Sequence, residues 1–438
     1  MTAQILQAAP PGQHDTRAKA WGFTGLLVLL YIINWGDKAI FGVVAQPIAE
    51  EFGLSASQIG LIGSAFFLTF TLGGLLAGLI NKWLPLRWSL VLLAVGWAAS
   101  MIPTVVVAGF AVLLISRMIL GLFEGPSAAL ILSGVYTWHP PEKRSFPSAC
   151  INAAGGIAQF AVAPLLALVA AAWGWRAAFI SLAAVGIAWC VIWLLTWKEG
   201  PFGAQEPIRR DDLDAASAST VAHRVPWTTI FFTPTFIGGA VGAFAMYALI
   251  TVVLTWLPSY FEVGLGYSRV QAGVMFGIPS IAGIVIILFA TAIADRLLVR
   301  GVSSRIVRGI VPGIGLLLCG LALVTLPYIG VPIVAVAVVS FGYGIGGIVF
   351  PLFSSGLSEI CPPGQIAGAL GVFLALQTSA GLVAPYLTGV IVDSSESPAA
   401  GYAFAFQVCG ILALVGAVVA LVFVNPVRDA QRVLANQA

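Results

Sequence analysis

Gly53-Leu54-Ser55-Ala56-Ser57-Gln58-Ile59-Gly60 returns 213 residues later as Gly266-Tyr267-Ser268-Arg269-Val270-Gln271-Ala272-Gly273, a shared G-x-S-x-x-Q-x-G. Each copy is a capping box, in which the serine accepts from a backbone N–H of the new helix and the glutamine reaches back to the serine. Each copy separates two long apolar runs. A second pair keeps nearly the same spacing: Asn81-Lys82 closes the run after the first copy, and Asp295-Arg296, 214 residues on, closes the run after the second. Local capping alone gives no common offset, so the chain reads as a parallel repeat of a six-helix unit.

The runs around the repeat are too apolar for a water-soluble core. Of 438 residues, 60% are hydrophobic and 8% charged, with a mean hydropathy of +1.02; a soluble domain carries roughly 25% charge. Spanning about 30 Å of hydrocarbon takes about 20 helical residues. Such runs fall near 21–46, 58–80, 88–108, 110–134, 146–171, 176–197, 231–258, 271–294, 306–328, 331–356, 365–391 and 402–424. The expected fold is all-α integral membrane, with twelve transmembrane helices in two six-helix bundles. The expected division is a tail over 1–20, a first bundle over 21–197, a linker over 198–230, a second bundle over 231–424 and a tail over 425–438.

The first run is too long for a signal-peptide core and no small-residue cleavage pattern follows promptly, so it reads as a retained helix. Within the linker, Lys198 to Val225 is rich in Lys, Arg, Asp and Glu and has little to bury. With both termini on one side, sixteen Lys and Arg fall on that side and only Arg176 and Arg269 on the other. The positive-inside rule then puts both termini in the cytoplasm of a multi-pass protein of the inner (plasma) membrane.

Four ionisable residues, Asp37, Lys38, Arg117 and Glu124, fall inside the predicted spans. At about 2.5–3.5 kcal/mol for each charge at the bilayer centre, four unpaired ones would oppose insertion by roughly 10–14 kcal/mol. They must compensate one another, either around an aqueous path for an ion or substrate or as salt bridges that only lock helices together. Arg117 and Glu124 lie within about 20° of one helix face and about 10.5 Å apart along it. Asp37 and Lys38 are consecutive and diverge by about 100°, so at least one must meet another helix. Helices 1 and 4 in contact would join all four in one network.

Two acids and two bases sum to zero. A carboxylate added to that site makes it negative, and one proton restores neutrality, which is a physical reason for proton and anion to travel together. Arg117, permanently charged and bidentate, suits an anion anchor, and Lys38 a second point charge.

Polar stripes add candidates: Tyr31, Asn34, Trp35 and Lys38 in the first span, Ser148, Asn152, Gly155 and Gln159 in the fifth, Tyr247 and Thr251 in the seventh, Tyr343 in the tenth and Gln377 in the eleventh. At such spacings they read either as substrate contacts or as interhelical hydrogen bonds. Other chemistry finds little support. The three histidines lie in polar segments, the five cysteines read as packing residues without C-x-x-C spacing, and no phosphate loop occurs. The expectation is therefore no enzyme, no cofactor and no metal site.

Asn34-Trp35-Gly36-Asp37-Lys38 in the first span and Arg117-Met118-Ile119-Leu120-Gly121-Leu122-Phe123-Glu124-Gly125-Pro126 in the fourth, with the twelve-span plan, resemble the major facilitator superfamily. Within it they resemble the anion:cation symporters that include the D-galactonate and hexuronate transporters. Leu254-Thr255-Trp256-Leu257-Pro258, Ala294-Asp295-Arg296-Leu297-Leu298-Val299-Arg300-Gly301 and Gly371-Val372-Phe373 support the same resemblance.

The resemblance implies alternating access by two rocking halves, with Asp37 and Glu124 handling protons and Lys38 and Arg117 contacting substrate. It also implies a cytoplasmic gating motif at Lys82, Asp295 and Arg296, weakened by Asn81 where an acid is usual. Trp35, Lys38, Gly155 and Leu374 stand where the sugar-acid members carry tyrosine, arginine, glutamine and asparagine. Fewer hydroxyl partners and more aromatic surface favour a less hydroxylated acid, aromatic or short aliphatic.

The function expected is proton-coupled symport of a small organic carboxylate, working as a monomer in the bilayer without nucleic acid. A proton-coupled exporter and an uncoupled facilitator are the alternatives.

Overall fold

The computed structural model describes residues 13–77, 80, 83–107, 109–139, 145–201, 225–362 and 365–435. Among them are twelve helices long and apolar enough to cross a membrane. These are α1 (Arg17–Phe52), α2 (Ala56–Leu75), α3 (Leu86–Val106), α4 (Phe110–Trp138), α5 (Phe146–Trp173) and α6 (Trp175–Thr196), then α7 (Pro234–Gly264), α8 (Arg269–Val299), α9 (Ile306–Tyr328), α10 (Pro332–Ile360), α11 (Gly368–Ser394) and α12 (Pro398–Phe423). A shorter helix, α13 (Pro426–Ala435), follows. No strand occurs among the described residues. Each predicted run coincides with one helix. The largest difference is at α1, whose helix begins at Gln13 and continues for 40 residues to Phe52, because backbone hydrogen bonding carries on past the apolar stretch into the turns holding Glu50 and Glu51.

Both copies of the opening motif do the same work. Ser55 Oγ accepts from Gln58 N at 3.3 Å while Gln58 Oε1 accepts from Ser55 N at 3.0 Å, and Ser268 and Gln271 repeat this at 3.3 and 3.0 Å. The leading glycines, Gly53 at φ 62° and Gly266 at φ 77°, take the left-handed conformation that turns the chain into the new helix.

The final glycines are where the first six spans meet the last six. A Cβ on Gly60 of α2 would lie 2.3 Å from the Pro385 carbonyl oxygen of α11, and one on Gly273 of α8 would lie 2.3 Å from the Ala167 Cβ of α5. The repeat therefore produces two equivalent crossings, α2 on α11 and α8 on α5. Gly42 of α1 does the same against α7, where a Cβ would lie 2.1 Å from the Leu254 oxygen.

Twelve spans bring both ends of the described chain to one side, the terminal end; the other is the far end. Among the described residues, every hydrogen bond and ion pair between the first six and last six spans lies at the far end or near the middle. Asp393 of α11 accepts from Ala56 N and Ser57 N at 2.8 Å each, holding the start of α2. Gln46 Nε2 donates to Tyr402 OH at 3.0 Å, Tyr386 N donates to Ser64 Oγ at 3.1 Å, and Arg269 pairs with Glu50 at 2.8 Å. The far end is closed.

At the terminal end, α13 straps the last six spans together. Its Asp429, fully buried, accepts from Thr235 N at 2.9 Å and Thr235 Oγ1 at 2.7 Å at the start of α7, and pairs with Arg428 at 2.8 Å. Burial raises the Asp429 carboxyl, but the hydrogen bonds from Arg428 and Thr235 outweigh it and hold it below the ordinary carboxylate range. The five cysteines are unbridged, and all but Cys150 are buried.

Candidate functional site

The site forms where α1 meets α4. In α4 the residues turned inward are Leu113, Ser116, Arg117, Leu120, Gly121 and Glu124, one stripe at helical spacing. The helix is interrupted at Gly125 and Pro126, just beyond Glu124. Gly121 lets it approach α2, since a Cβ there would lie 2.4 Å from the Phe66 carbonyl oxygen. All four charged residues are buried, at 1% exposure for Asp37, 6% for Lys38, 5% for Arg117 and 0% for Glu124.

Their connections are unequal. Lys38 Nζ donates to Glu124 Oε2 at 2.5 Å and to Asn34 Oδ1, one turn back, at 2.6 Å. Arg117 Nη1 donates at 3.1 Å to the backbone oxygen of Asp37 and not to its carboxylate. Among the described residues no cation lies within ion-pair distance of the Asp37 carboxylate, and its Oδ1 has no hydrogen-bond partner. The single network expected from the sequence is thus open at one member. Asp37 points away from Lys38, as consecutive helical residues must, and Arg117 gives one N–H to the backbone while its Nε has no partner.

Aromatic rings surround the cations. Lys38 Nζ lies 5.3 Å from the Trp35 ring, 5.9 Å from Phe66 and 5.0 Å from Phe70; the Arg117 guanidinium lies 4.5 Å from Phe41 and 5.0 Å from Phe66. In desolvated surroundings such contacts contribute about 2 kcal/mol each. They keep two cations in the membrane interior that make, among the described residues, one ion pair. The sequence reading missed Phe41, Phe66 and Phe70, because an aromatic residue in an apolar span gives no periodicity signal of its own.

The other candidates divide. Tyr31 and Trp35 pack edge to face at 6.3 Å and stay partly exposed. Tyr247 and Tyr343 are also partly exposed, and Tyr247 sits in a ring row with Phe67 at 6.4 Å and Phe350 at 6.5 Å. Asn152 is exposed. Gln377 is 8% exposed and its Oε1 has no partner. Gln159 does not stand open to a ligand: its Oε1 accepts from Ser280 Oγ of α8, a link between the two sets of spans that the sequence did not reveal. Thr251 donates to Ala248 O at 2.9 Å within its own helix.

Asp295 and Arg296 are exposed at the end of α8 and make no ion pair among the described residues. Lys82 lies outside the described residues.

Residues 27–385 match the model of the Major Facilitator Superfamily. The chain belongs to that superfamily. Among its relatives are a probable sulfoacetate transporter, SauU, of Cupriavidus necator, 28% identical over 92% of this chain and 93% of the relative, and a hexuronate transporter of Bacillus subtilis, 26% identical over 92% and 94%. A solved D-xylose-proton symporter shares the fold, with a TM-score of 0.75 over 93% of this chain and 99% of that one at 20% identity. The resemblance to organic-anion transporters seen in the sequence agrees with these relatives, and the fold is that of the superfamily.

Proposed function

We propose that this chain is a secondary transporter that carries a small organic anion together with protons by alternating access. The observation that carries the reading is the uneven buried cluster, in which Lys38 is held by Glu124 at 2.5 Å while the Asp37 carboxyl beside it has no cation within pairing distance among the described residues. An ionised carboxylate left alone in an apolar interior is costly, so Asp37 is the group that accepts a proton in this state. An incoming carboxylate or sulfonate competes with Glu124 for Lys38 and meets in Arg117 a guanidinium whose Nε has no partner. The names of the sulfoacetate and hexuronate relatives support an anion as cargo.

The positive-inside bias supports a bacterial-type inner membrane location with both termini in the cytoplasm, in which case the closed far end is external and the state is inward-facing. The two six-span bundles, 21–197 and 231–424, are then the bodies that rock.

The test is uptake of organic acids into proteoliposomes under an imposed inward proton gradient, comparing wild type with Asp37→Asn, Glu124→Gln and Arg117→Ala. The expected result is gradient-driven accumulation that Asp37→Asn abolishes while exchange of the same acid persists, with Arg117→Ala losing both. Accumulation of an acid that ignores the gradient would replace symport by facilitated transport, and gradient-driven expulsion of cations would replace it by antiport.

A further inference from the structure

The fifth span contains Gly155 where α1 brings Trp35 against it. A Cβ built on Gly155 would lie 3.0 Å from Trp35 Cε2 and 3.1 Å from Cδ2, so the indole occupies the space a side chain at 155 would need. One face of the ring is thus covered by the α5 backbone. The same ring lies 5.3 Å from Lys38 Nζ, the one ammonium among the four charged residues of the site. Trp35 remains partly exposed, so an anion reaching Lys38 meets indole on that side.

The nearby polar groups are committed only in part. Asn34 Oδ1 is taken by Lys38 Nζ at 2.6 Å and Gln159 Oε1 by Ser280 Oγ, while Asp37 Oδ1, Glu124 Oε1, Arg117 Nε, Asn34 Nδ2 and Gln377 Oε1 are buried polar atoms without partners. On α7 the Tyr247 ring stands in its row with Phe67 and Phe350.

We propose, resting on the anion reading above, that Trp35 seated on Gly155 sets the substrate class as a carboxylate with a flat, apolar body, an aromatic monocarboxylate, and disfavours polyhydroxylated acids. The carboxylate meets Lys38 and Arg117, and the ring packs against the part of the indole that stays exposed, where aromatic contact contributes beyond area burial. The unpartnered carboxylate oxygens, Asp37 Oδ1 and Glu124 Oε1, belong to the charged cluster; away from it a polyhydroxylated acid meets indole, and each hydroxyl desolvated there without a partner counts against it.

The experiment uses purified full-length protein, with calorimetric binding of benzoate, acetate and D-glucuronate and gradient-driven uptake of the same three labelled acids. Wild type is expected to bind benzoate about tenfold or more tighter than D-glucuronate. Trp35→Phe should keep the ranking, while Trp35→Ala should weaken benzoate about tenfold and leave acetate within about twofold, a split that mere loss of structure does not produce. Gly155→Gln should displace the indole and weaken benzoate, and Trp35→Tyr with Gly155→Gln, which restores room and adds polar groups, should narrow the benzoate to glucuronate ratio about tenfold. Melting temperature in detergent identifies any variant that fails to fold, and the Trp35→Phe and Trp35→Ala pair then decides.

D-glucuronate bound or accumulated in preference to benzoate by wild type, or Trp35→Ala weakening acetate and benzoate equally, would overturn this assignment and leave proton–anion symport standing. Accumulation of none of the three acids, with cations expelled on the gradient, would overturn both.

Discussion

Replacing Gly60 by alanine tests whether the repeated glycines are what close the far end. The new Cβ would lie 2.3 Å from Pro385 O, 2.9 Å from Tyr386 Cα and 3.0 Å from Pro385 C, all backbone atoms of α11. Normal contact needs roughly 3.5 Å, so α2 and α11 must separate by about 1 Å. No side-chain rotamer relieves this. Overpacking of that kind costs about 1–3 kcal/mol, and it is felt only while the far end is closed. The closed-far-end population should therefore fall about 5- to 150-fold relative to the state open at that end.

The assay is double electron–electron resonance on nitroxides at Trp173→Cys and Glu396→Cys, two exposed far-end positions in opposite sets of spans, with the native cysteines replaced. Gly60→Ala should move the distribution to longer distances. Gly186→Ala, where a Cβ meets nothing within 4 Å, should leave it unchanged. A folded Gly60→Ala protein with the wild-type distribution would refute the reasoning, because α2 and α11 would then be shown to have slack that the contact distances deny.

Three further outcomes follow from the geometry. Asp393→Asn removes the charge on two hydrogen bonds at the start of α2; since Asp393 is exposed, about 0.5–1 kcal/mol is at stake, and the same resonance measurement should show a shift of about two- to fivefold towards an open far end. Glu124→Gln leaves the buried Lys38 ammonium without its ion pair and should lower stability in detergent by about 3–5 kcal/mol, with Lys38→Met/Glu124→Leu recovering most of it; a single variant that melts like wild type would show that the pair has no structural share. Asp429 has its carboxyl held below the ordinary range, so its contribution is fully present above the unfolded value and is lost as pH falls through the folded one. Melting temperature should therefore drop on acidification in wild type more steeply than in Asp429→Asn, and parallel curves would contradict that role.

The sequence by itself determined the twelve spans, their repeat and the membrane, because apolar length and local capping are properties of neighbouring residues. Ser55 with Gln58 and Ser268 with Gln271 lie three residues apart, and their hydrogen bonds were legible before any fold was known. The positions of Asp37, Lys38, Arg117 and Glu124 were legible too, since a charge in an apolar run stands out against its surroundings.

What the sequence left open was which group each of them meets. That Lys38 takes Glu124 while Arg117 takes the Asp37 backbone depends on how α1 turns against α4, and residues 86 and 80 apart in the chain carry no record of that rotation. The same holds for Gln159 with Ser280 and for Trp35 on Gly155. The closing glycines Gly60 and Gly273 were visible as letters of a repeated motif, but their meaning is a distance to another helix. Only the tertiary packing, in which a missing Cβ becomes a place for a neighbour's backbone or methyl group, decided it.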